Sequence, residues 1–472
     1  AALFLWWVML PNHLYRYFIE TKLHMVDIRA KLSALGELLE FCRQQAACCG
    51  CDLGIEAFYW VRRYKSLAGR RIEQCDVAQE MRRYHPSYNY RRWGNANSVF
   101  SRKAYLKIFQ EEVNRLADKT IANMRTARLD SMSQWWEKRL NSIASGSSSN
   151  RHILDEYIRR DSRIKSSDRP NKKAVIEAIE YDYFGKILGS RPHMIARRST
   201  KHEPGLKQRA LYAVDDEAVI VSAFASQGME KHLNFGGMCP LQRPIDVLDW
   251  WKAGRRRHNQ QVWLSADYTD FNKEHSTVEL SLLNMALARA WITHYPLEHI
   301  AREKAIACMW VAKAQWVRFV KDEEGNLHRV FSALFSGSRD TARDNTMLHQ
   351  VYHNMIIRWL DENRPGWGSV VQAYMCGDDE DVIFSDPVAA AYYYFALTHL
   401  SWHANDSKQM CGYNSHEFLQ KFPHPTQGCI APIASMFAAL CSGQWYTTPG
   451  LQQDNALAAL SDQLWELVVR GA

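Results

Sequence analysis

In the second half of the chain, short apolar runs are each followed by a small acidic cluster. Val262–Ala266 leads into Asp267, and Val370–Cys376 leads into a Gly-Asp-Asp tripeptide at 377–379, after which residues 382–384 are apolar again. Runs of this length and composition predict β-strands, and glycine and aspartate tolerate the positive φ angles of tight turns. The pattern therefore predicts a β-hairpin with two aspartates at its tip and a separate strand that ends at Asp267.

The two acidic clusters favour a shared site for divalent cations. Carboxylates at strand ends, here Asp267 with Asp378 and Asp379, can hold two metal ions, and such a pair of ions catalyses nucleotidyl transfer. Taken alone, a Gly-Asp-Asp tripeptide in a chain with 51 acidic residues is more often a solvated turn. The order of the neighbouring motifs decides against that alternative, because a polar, glycine-containing motif at 336–345 lies between the clusters and Lys408 follows them.

The first cluster reads Asp267-Tyr-Thr-Asp270-Phe-Asn272-Lys-Glu-His275-Ser276. Together with the later motifs, it resembles the palm of viral RNA-dependent RNA polymerases, and most closely those of totivirus-like double-stranded RNA viruses. The resemblance implies an α+β right-hand polymerase fold with fingers, palm and thumb, an antiparallel palm sheet and a largely helical N-terminal region. It also implies that Asp267 is a metal ligand, that Asn272 contacts the incoming ribose and that Asp270 is structural.

The motif between the clusters has its own physical logic. Gly337 allows an unusual backbone geometry in a loop that approaches the template, and the residues from Thr341 onward are periodic enough for a helix. Thr341 and Asn345 are four residues apart and share one helix face, from which an amide can bind a 2′-hydroxyl. By the resemblance, Ser336, Gly337, Thr341 and Asn345 contact the nucleotide. In isolation, an ordinary helix capped by Ser336 is the alternative.

A basic segment at 197–212 precedes the palm motifs. Lys207 and Arg209 are two apart, so in an extended segment they point the same way and can grip a triphosphate. The segment resembles the basic fingers motif of these polymerases, which implies that Lys201, Lys207 and Arg209 contact the phosphates, with Glu203 as a structural partner. The alternative is a solvated charged face.

After the hairpin, the chain resembles the lysine motif of the family and the Glu-Phe-Leu string that follows it. The resemblance implies that Lys408 is the general acid that protonates the pyrophosphate, and that Glu417 contacts the template or primer. Gln420 stands where relatives often have arginine. Glu380-Asp381, directly after the tripeptide, is a second departure, and these carboxylates either tune metal affinity or face solvent.

Composition supports four segments. Residues 1–140 read as a helical N-terminal and fingers region, in which aromatic and basic residues such as Tyr59 and Trp60 either stack bases or belong to amphipathic helices. The polar stretch at 142–150 opens a second fingers segment, 141–260, and its Ser145 and Gly146 are candidates for a template-guiding loop.

The palm is expected at 261–415, with fingers helices inserted in it, and the start of a thumb at 416–472. This last segment reads as mostly helical and shorter than the family's thumb. Together with the apolar start of the chain, it indicates a piece of a longer viral protein.

The chain of 472 residues has a formal net charge of +8, which suits a nucleic-acid channel without proving one. Its 11 cysteines form no convincing metal or disulfide framework, although Cys42, Cys48, Cys49 and Cys51 cluster. A reduced, intracellular chain is expected, and the apolar first ten residues are too short to span a membrane.

The resulting hypothesis is template-directed RNA synthesis with two Mg²⁺ or Mn²⁺ ions. The expected partners are single- and double-stranded RNA, ribonucleoside triphosphates and a viral capsid protein, without a membrane, in the virion interior and the host cytoplasm. A two-metal nuclease or nucleotide cyclase does not explain the motif at 336–345 or Lys408. A catalytically inactive, virus-derived RNA-binding protein remains the alternative, although intact carboxylates at all three key positions argue against it.

Overall fold

The computed structural model describes most of the chain. The described residues are 10–20, 40, 44, 52–64, 70, 73–82, 101–144, 146–149, 171–203, 207–255, 260–400, 402–405, 408–424, 428–431, 457–458 and 460–465. Ser145 and the four clustered cysteines at 42, 48, 49 and 51 lie outside them. Within these ranges, no helix has both the length and the apolar character needed to cross a membrane.

The helices are numbered in chain order. They are α1 Asn12–Glu20, α2 Asp52–Tyr64, α3 Val77–Arg82, α4 Arg102–Ala122, α5 Met132–Glu137, α6 Lys172–Glu177, α7 Tyr181–Gly189, α8 Asp216–Ala225, α9 Pro244–Arg255, α10 Phe271–Glu274, α11 Thr277–His294, α12 His299–Ala314, α13 Thr341–Asn363 and α14 Pro387–His399. Short 3₁₀ helices cover Thr126–Arg128, Arg139–Asn141 and Met229–His232.

Within the described residues, the strands form three sheets. They are β1 Met194–Glu203, β2 Lys207–Val214, β3 Val262–Ala266, β4 Arg318–Lys321, β5 Leu327–Val330, β6 Val370–Cys376, β7 Asp379–Phe384, β8 Met410–Gly412, β9 Phe422–His424 and β10 Gly428–Ile430. Two sheets have four strands, in the orders β2-β1-β4-β5 and β6-β7-β3-β8, and β9 pairs with β10.

The sheet β6-β7-β3-β8 is antiparallel throughout and carries the acidic motifs. In its register, Ala266 of β3 faces Glu380 of β7, and Cys376 of β6 faces Asp379 of β7. Helices α13 and α14 pack on one face of this sheet. A buried aromatic cluster that includes Trp250 of α9 and Trp263 of β3 packs on the other. The predicted hairpin and antiparallel palm sheet are confirmed.

A large apolar core joins the palm to the surrounding helices. Helix α11 packs against α12 and α4, and α8 packs against α12. Ser276 and Glu279 form a capping box at the start of α11, which fixes where this helix begins after the first acidic motif. The described part of residues 1–140 is helical, as the resemblance implies.

Two local features add to the sequence interpretation. After Gln420, β9 and β10 form a small antiparallel pair. Tyr59 and Trp60 of α2 are buried, and their rings lie 4.1 and 6.1 Å from that of Phe422. These two aromatic side chains therefore belong to the core and are not placed to stack bases. The other boundaries between the four segments remain predictions.

Candidate active site

The hairpin between β6 and β7 presents the second acidic motif at its tip. Cys376 and Asp379 close the ladder, so Gly377 and Asp378 form a two-residue turn. Gly377 has φ +65°, a conformation that glycine adopts without strain. Asp378 is exposed and Asp379 is half-buried. The turn therefore holds two neighbouring carboxylates at the edge of a rigid sheet.

Asp267 follows β3 directly and lies beside this turn. Because Ala266 pairs with Glu380, the next position along β3 is level with Asp379. Lys408 Nζ donates to Asp267 Oδ1 at 2.6 Å. Two hydrogen bonds hold the backbone of Asp267. Its carbonyl accepts from the backbone amide of Asn405, and its own amide donates to Gln409 Oε1. The predicted general acid and a predicted metal ligand are thus one ion pair.

The two predicted ribose contacts touch each other. Asn345 Nδ2 donates to Asn272 Oδ1 at 3.0 Å, across a sequence separation of 73 residues. His275 Nε2 donates to Asn345 Oδ1 at 2.8 Å, and its Nδ1 accepts from the Tyr352 hydroxyl at 2.9 Å. This chain of hydrogen bonds orients the Asn345 amide, so that its NH₂ group points towards Asn272.

The loop that carries Ser336 and Gly337 docks on strand β2. The Gly337 amide donates to the Tyr212 carbonyl at 3.1 Å, and Ser336 Oγ accepts from the Tyr212 amide at 3.3 Å. A Cβ at Gly337 would lie 2.4 Å from the Tyr212 carbonyl oxygen. Gly337 is not among the residues with positive φ. The expected unusual backbone geometry is therefore wrong, and the glycine is required by close packing of two backbones.

Gly337→Ala is expected to push this loop off β2, because the atoms that a Cβ meets are backbone atoms that cannot rotate away. We expect a loss of about 1–3 kcal/mol in the free energy of unfolding, measured by urea denaturation. Gly185→Ala is the matched control, since Gly185 lies in α7 and a Cβ there would meet no heavy atom of the described residues within 4 Å. The control should be neutral or slightly stabilising; equal stability of the two variants would contradict the packing argument.

The basic motif forms the β1–β2 hairpin. Lys201 faces Arg209 across the ladder, and both bind Glu203, at 3.1 and 3.2 Å respectively. Their side chains are 60% and 57% exposed, which leaves the cations accessible to an anion. Lys207 begins β2, two positions from Arg209, and its side chain lies outside the described part of the structure. Glu203 partners two cations where the sequence suggested one.

Three further predicted residues have local contacts. The Thr341 hydroxyl donates to the carbonyls of Phe335 and Ser338, so it closes the loop that precedes α13. Asp340, and not Ser336, occupies the cap position of this helix. The Glu417 carboxylate accepts from the Gln420 amide at 2.7 Å. The Gly146 carbonyl accepts from the Lys172 amide at 2.7 Å, which ties the polar loop to the start of α6.

This arrangement can be compared with known proteins. The family described as viral RNA-directed RNA-polymerase matches residues 21–445, a range that includes every motif described above. The chain belongs to this family. The polymerase resemblance read from the motifs is thereby confirmed.

The chain is similar to two viral polymerases, one in sequence and one in structure. The RNA-directed RNA polymerase of Penicillium chrysogenum virus is 23% identical over 307 residues, which are 64% of this chain and 26% of the relative. The chain thus spans about a quarter of the length of that curated relative. The insertion loop deletion mutant of the RNA-dependent RNA polymerase of a human picorbirnavirus superposes with a TM-score of 0.53 at 12% identity, covering 93% of this chain and 81% of that one. This likeness confirms the α+β polymerase fold.

The donor set at the palm fits the divalent ions that the family implies. Asp267, Asp378 and Asp379 offer carboxylate oxygens at the ends of adjacent strands, and all three are at least partly accessible to solvent. Hard divalent cations such as Mg²⁺ and Mn²⁺ prefer such oxygen ligands. This edge of the palm sheet is therefore suited to binding such ions.

A tighter donor group lies elsewhere. In the part of the chain that the structure describes, His193, Asp215 and Glu217 bring one ligand atom each to within 4.8 Å of one another. They lie next to β1 and α8, away from the palm sheet. The Asp215 carboxylate already accepts from the amides of Ile195 and Ala218, and Glu217 accepts from the Tyr183 hydroxyl. These hydrogen bonds indicate that the group stabilises the start of α8.

Glu380 and Asp381 are both buried, so of the two alternatives left open by the sequence, the one in which they face solvent is wrong. Successive strand residues point to opposite faces, and the two carboxylates enter separate networks. Glu380 accepts from His349 Nε2 at 2.7 Å and from the Tyr393 hydroxyl at 2.6 Å. Burial alone would raise the pKa of Glu380, but the charge of His349 and the hydrogen bonds from it and from His353 outweigh burial and hold this pKa below its ordinary value.

On the other face of the sheet, Asp381 gathers three donors. It accepts from Trp250 Nε1 at 2.6 Å, from Ser265 Oγ at 2.8 Å and from His416 Nδ1 at 2.7 Å. The His416 ring stacks on Trp263 with ring centroids 3.6 Å apart. Ser265 Oγ in turn accepts from the Glu417 amide, so this network ties the Glu417 loop to β3.

The sequence interpretation missed the histidines of this site. His275 stands in the first motif without a predicted role, and neither His349 nor His416 belongs to a motif that the sequence singles out. One signal was available, because Thr346, His349 and His353 recur at helical spacing in a segment predicted to be helical. Polar residues on the inward face of such a helix indicate partners in the core.

Proposed function

We propose that this protein carries out template-directed RNA synthesis by nucleotidyl transfer. The observation that carries the proposal is the convergence of Asp267, Lys408 and the Asp378-Asp379 turn at one edge of the palm sheet, next to the Asn272–Asn345 pair. Membership in the viral polymerase family supports the same activity. A substrate there would meet carboxylates for metal ions, a cation and amides for a sugar.

Each residue of the site has a proposed role. Asp267, Asp378 and Asp379 hold the divalent ions, which when bound supply charge stabilisation to the attacking and leaving oxygens of an in-line displacement. Lys408, whose Nζ donates to Asp267 Oδ1 at 2.6 Å, would donate a proton to the pyrophosphate leaving group. The hydrogen bond to the Asp267 carboxylate holds the amine of this lysine at the metal-binding edge of the sheet.

Phosphate binding is proposed for the basic hairpin. Lys201 and Arg209 share Glu203, which holds the two side chains side by side without neutralising both charges. A triphosphate can replace Glu203 as their partner, and Lys207, two positions before Arg209 in the chain, would add a third cation. The contact between Gly337 and Tyr212 joins this hairpin to the start of α13.

The partners and the location follow from the function. We propose single- and double-stranded RNA and ribonucleoside triphosphates as substrates, with Gly146, Ser145 and Glu417 near the template or primer. From the resemblance to polymerases of totivirus-like viruses, we propose a viral capsid protein as a further partner. The proposed sites of action are the virion interior and the host cytoplasm.

The proposal is tested by incorporation of labelled ribonucleotides on a single-stranded RNA template in Mg²⁺ or Mn²⁺. We expect an RNA product whose sequence depends on the template, and little product from deoxyribonucleotides. RNA binding without synthesis under both metals would instead favour the inactive RNA-binding protein.

Asn345→Ala is expected to weaken the choice of ribose over deoxyribose. One net hydrogen bond contributes about 0.5–1.5 kcal/mol, so we expect the ratio of kcat/KM for the two sugars to fall by about two- to tenfold. Asn354→Ala is the matched control, because Asn354 lies on the same helix as Asn345 but its side chain accepts from Gln350 and does not contact Asn272. An unchanged ratio in the Asn345 variant would exclude this amide from sugar recognition.

A further inference from the structure

The main chain of Gly377, the residue before Asp378, is held by two side chains of one helix. Its N–H donates to Thr346 Oγ1 at 2.9 Å, and its carbonyl accepts from His349 Nδ1 at 2.9 Å. Thr346 and His349 are three residues apart on α13 and share one face of that helix. Side chains, and not the sheet, therefore fix both polar backbone groups of the turn residue.

The hydroxyl of Thr346 is set up to act as an acceptor. Its own proton goes to the Ala342 carbonyl at 2.8 Å, one turn earlier in α13. Its oxygen is then oriented towards the Gly377 amide. Thr346 is fully buried, so water does not compete for this contact.

His349 is held just as firmly. Nδ1 faces a carbonyl and Nε2 faces the Glu380 carboxylate at 2.7 Å, and neither oxygen can donate. Both ring nitrogens therefore have an acceptor within hydrogen-bond distance. The second oxygen of Glu380 accepts from the Tyr393 hydroxyl of α14 at 2.6 Å. A carboxylate that orients a histidine in this way also fixes what the histidine holds.

We propose that Thr346 and His349 form a clamp that sets the position of Asp378 relative to Asp267, with Glu380 keeping His349 in place. The inference rests on the proposed function, because the clamp acts on a metal-binding carboxylate. All three are positioning residues and need not touch the substrate. Since Asn345 precedes Thr346 on the same helix, one rigid element then places both the sugar contact and the catalytic turn.

Thr346→Val tests the clamp, because valine keeps the shape of threonine and removes the acceptor. Some residues hold a metal ligand in position without binding the metal themselves. Their replacement typically changes metal affinity or activity by about 10–100-fold. We expect the affinity of the protein for Mn²⁺ alone, measured by isothermal titration calorimetry, to fall by about that factor. The Mg²⁺ concentration for half-maximal RNA synthesis should rise in parallel, with the KM for nucleotide changed less.

Two variants separate positioning from general stability. Thr346→Ser keeps the hydroxyl and should restore Mn²⁺ affinity to within about threefold of the wild type, since the acceptor remains. Thr120→Val is the matched control, because Thr120 is also buried and also donates to a carbonyl one turn earlier, in α4, without reaching the hairpin. Thermal unfolding of all variants shows whether each is folded at the assay temperature.

The outcomes are distinct. Loss of Mn²⁺ affinity in Thr346→Val, but not in Thr346→Ser or Thr120→Val, would establish the clamp. Equal Mn²⁺ affinity of folded Thr346→Val and wild type would overturn it. If Thr346→Val does not fold, His349→Gln, which keeps a donor to Glu380 at the Nε2 position and loses the one at Nδ1, is compared with the wild type in the same titration, and the same fall in Mn²⁺ affinity is expected. Wild-type protein that binds Mn²⁺ but makes no RNA would count against the proposed function, while the affinities would still decide the clamp.

Discussion

Asp378→Asn is expected to abolish RNA synthesis and leave the fold intact. The carboxylate is exposed at the tip of a two-residue turn, and asparagine keeps its size and its tolerance of turn geometry. What is lost is the charge that binds a divalent ion. Stabilisation of the reacting phosphate by metal ions contributes several kcal/mol, so we expect at least about a 10³-fold loss in kcat.

The measurement is nucleotide incorporation with saturating template, together with thermal unfolding. Asp182→Asn makes the same chemical change at an exposed position on α7 and should retain full activity. A folded Asp378 variant that still incorporates nucleotides at more than a few per cent of the wild-type rate would remove this residue from the metal site, and with it the core of the proposed function.

Asp381→Ala is expected to destabilise the protein by about 3–5 kcal/mol, because it removes one partner of a buried polar network and leaves the donors of Trp250, Ser265 and His416 without their acceptor. The palm sheet would lose its link to α9 and to the Glu417 loop together. We therefore expect the loss of stability to be accompanied by a loss of RNA synthesis even at temperatures where the variant is folded.

Urea denaturation measures this change directly. Asp249→Ala is the matched control, since Asp249 precedes Trp250 in α9 and its side chain is exposed. Exposed substitutions of this kind usually change the free energy of unfolding by less than about 0.5 kcal/mol. If the two variants were equally stable, Asp381 would be a passive buried residue and the network would not hold the sheet to α9.

Local signals were sufficient for the palm strands. Strand β3, the hairpin of β6 and β7 and the helix that begins at Thr341 are each specified by a short apolar run, a Gly-Asp turn or a helical period. The order of the motifs along the chain was sufficient for the family, because that order is more specific than any single motif.

Partners distant in sequence could not be predicted in the same way. The apolar pattern gives the face of a strand or helix, but not the residue that will lie opposite. Gly337 shows this limit, since the sequence suggested backbone freedom and the structure shows close contact with the backbone of Tyr212 in β2. The Glu380-Asp381 pair shows it again, since the sequence left open whether these charges tune metal affinity or face solvent, and each is buried among partners from distant segments.

The sequence by itself determined the palm hairpin and the polymerase family and singled out the three carboxylates and the basic segment, because each depends on residue types at short spacing. Only the tertiary structure decided three contacts. Lys408 donates to Asp267, Asn345 donates to Asn272, and Thr346 of α13 accepts from the Gly377 amide. These contacts join residues between 31 and 141 positions apart. They form only when packing of the helices on the palm sheet brings those segments together, and buried polar groups then find the partners that they require.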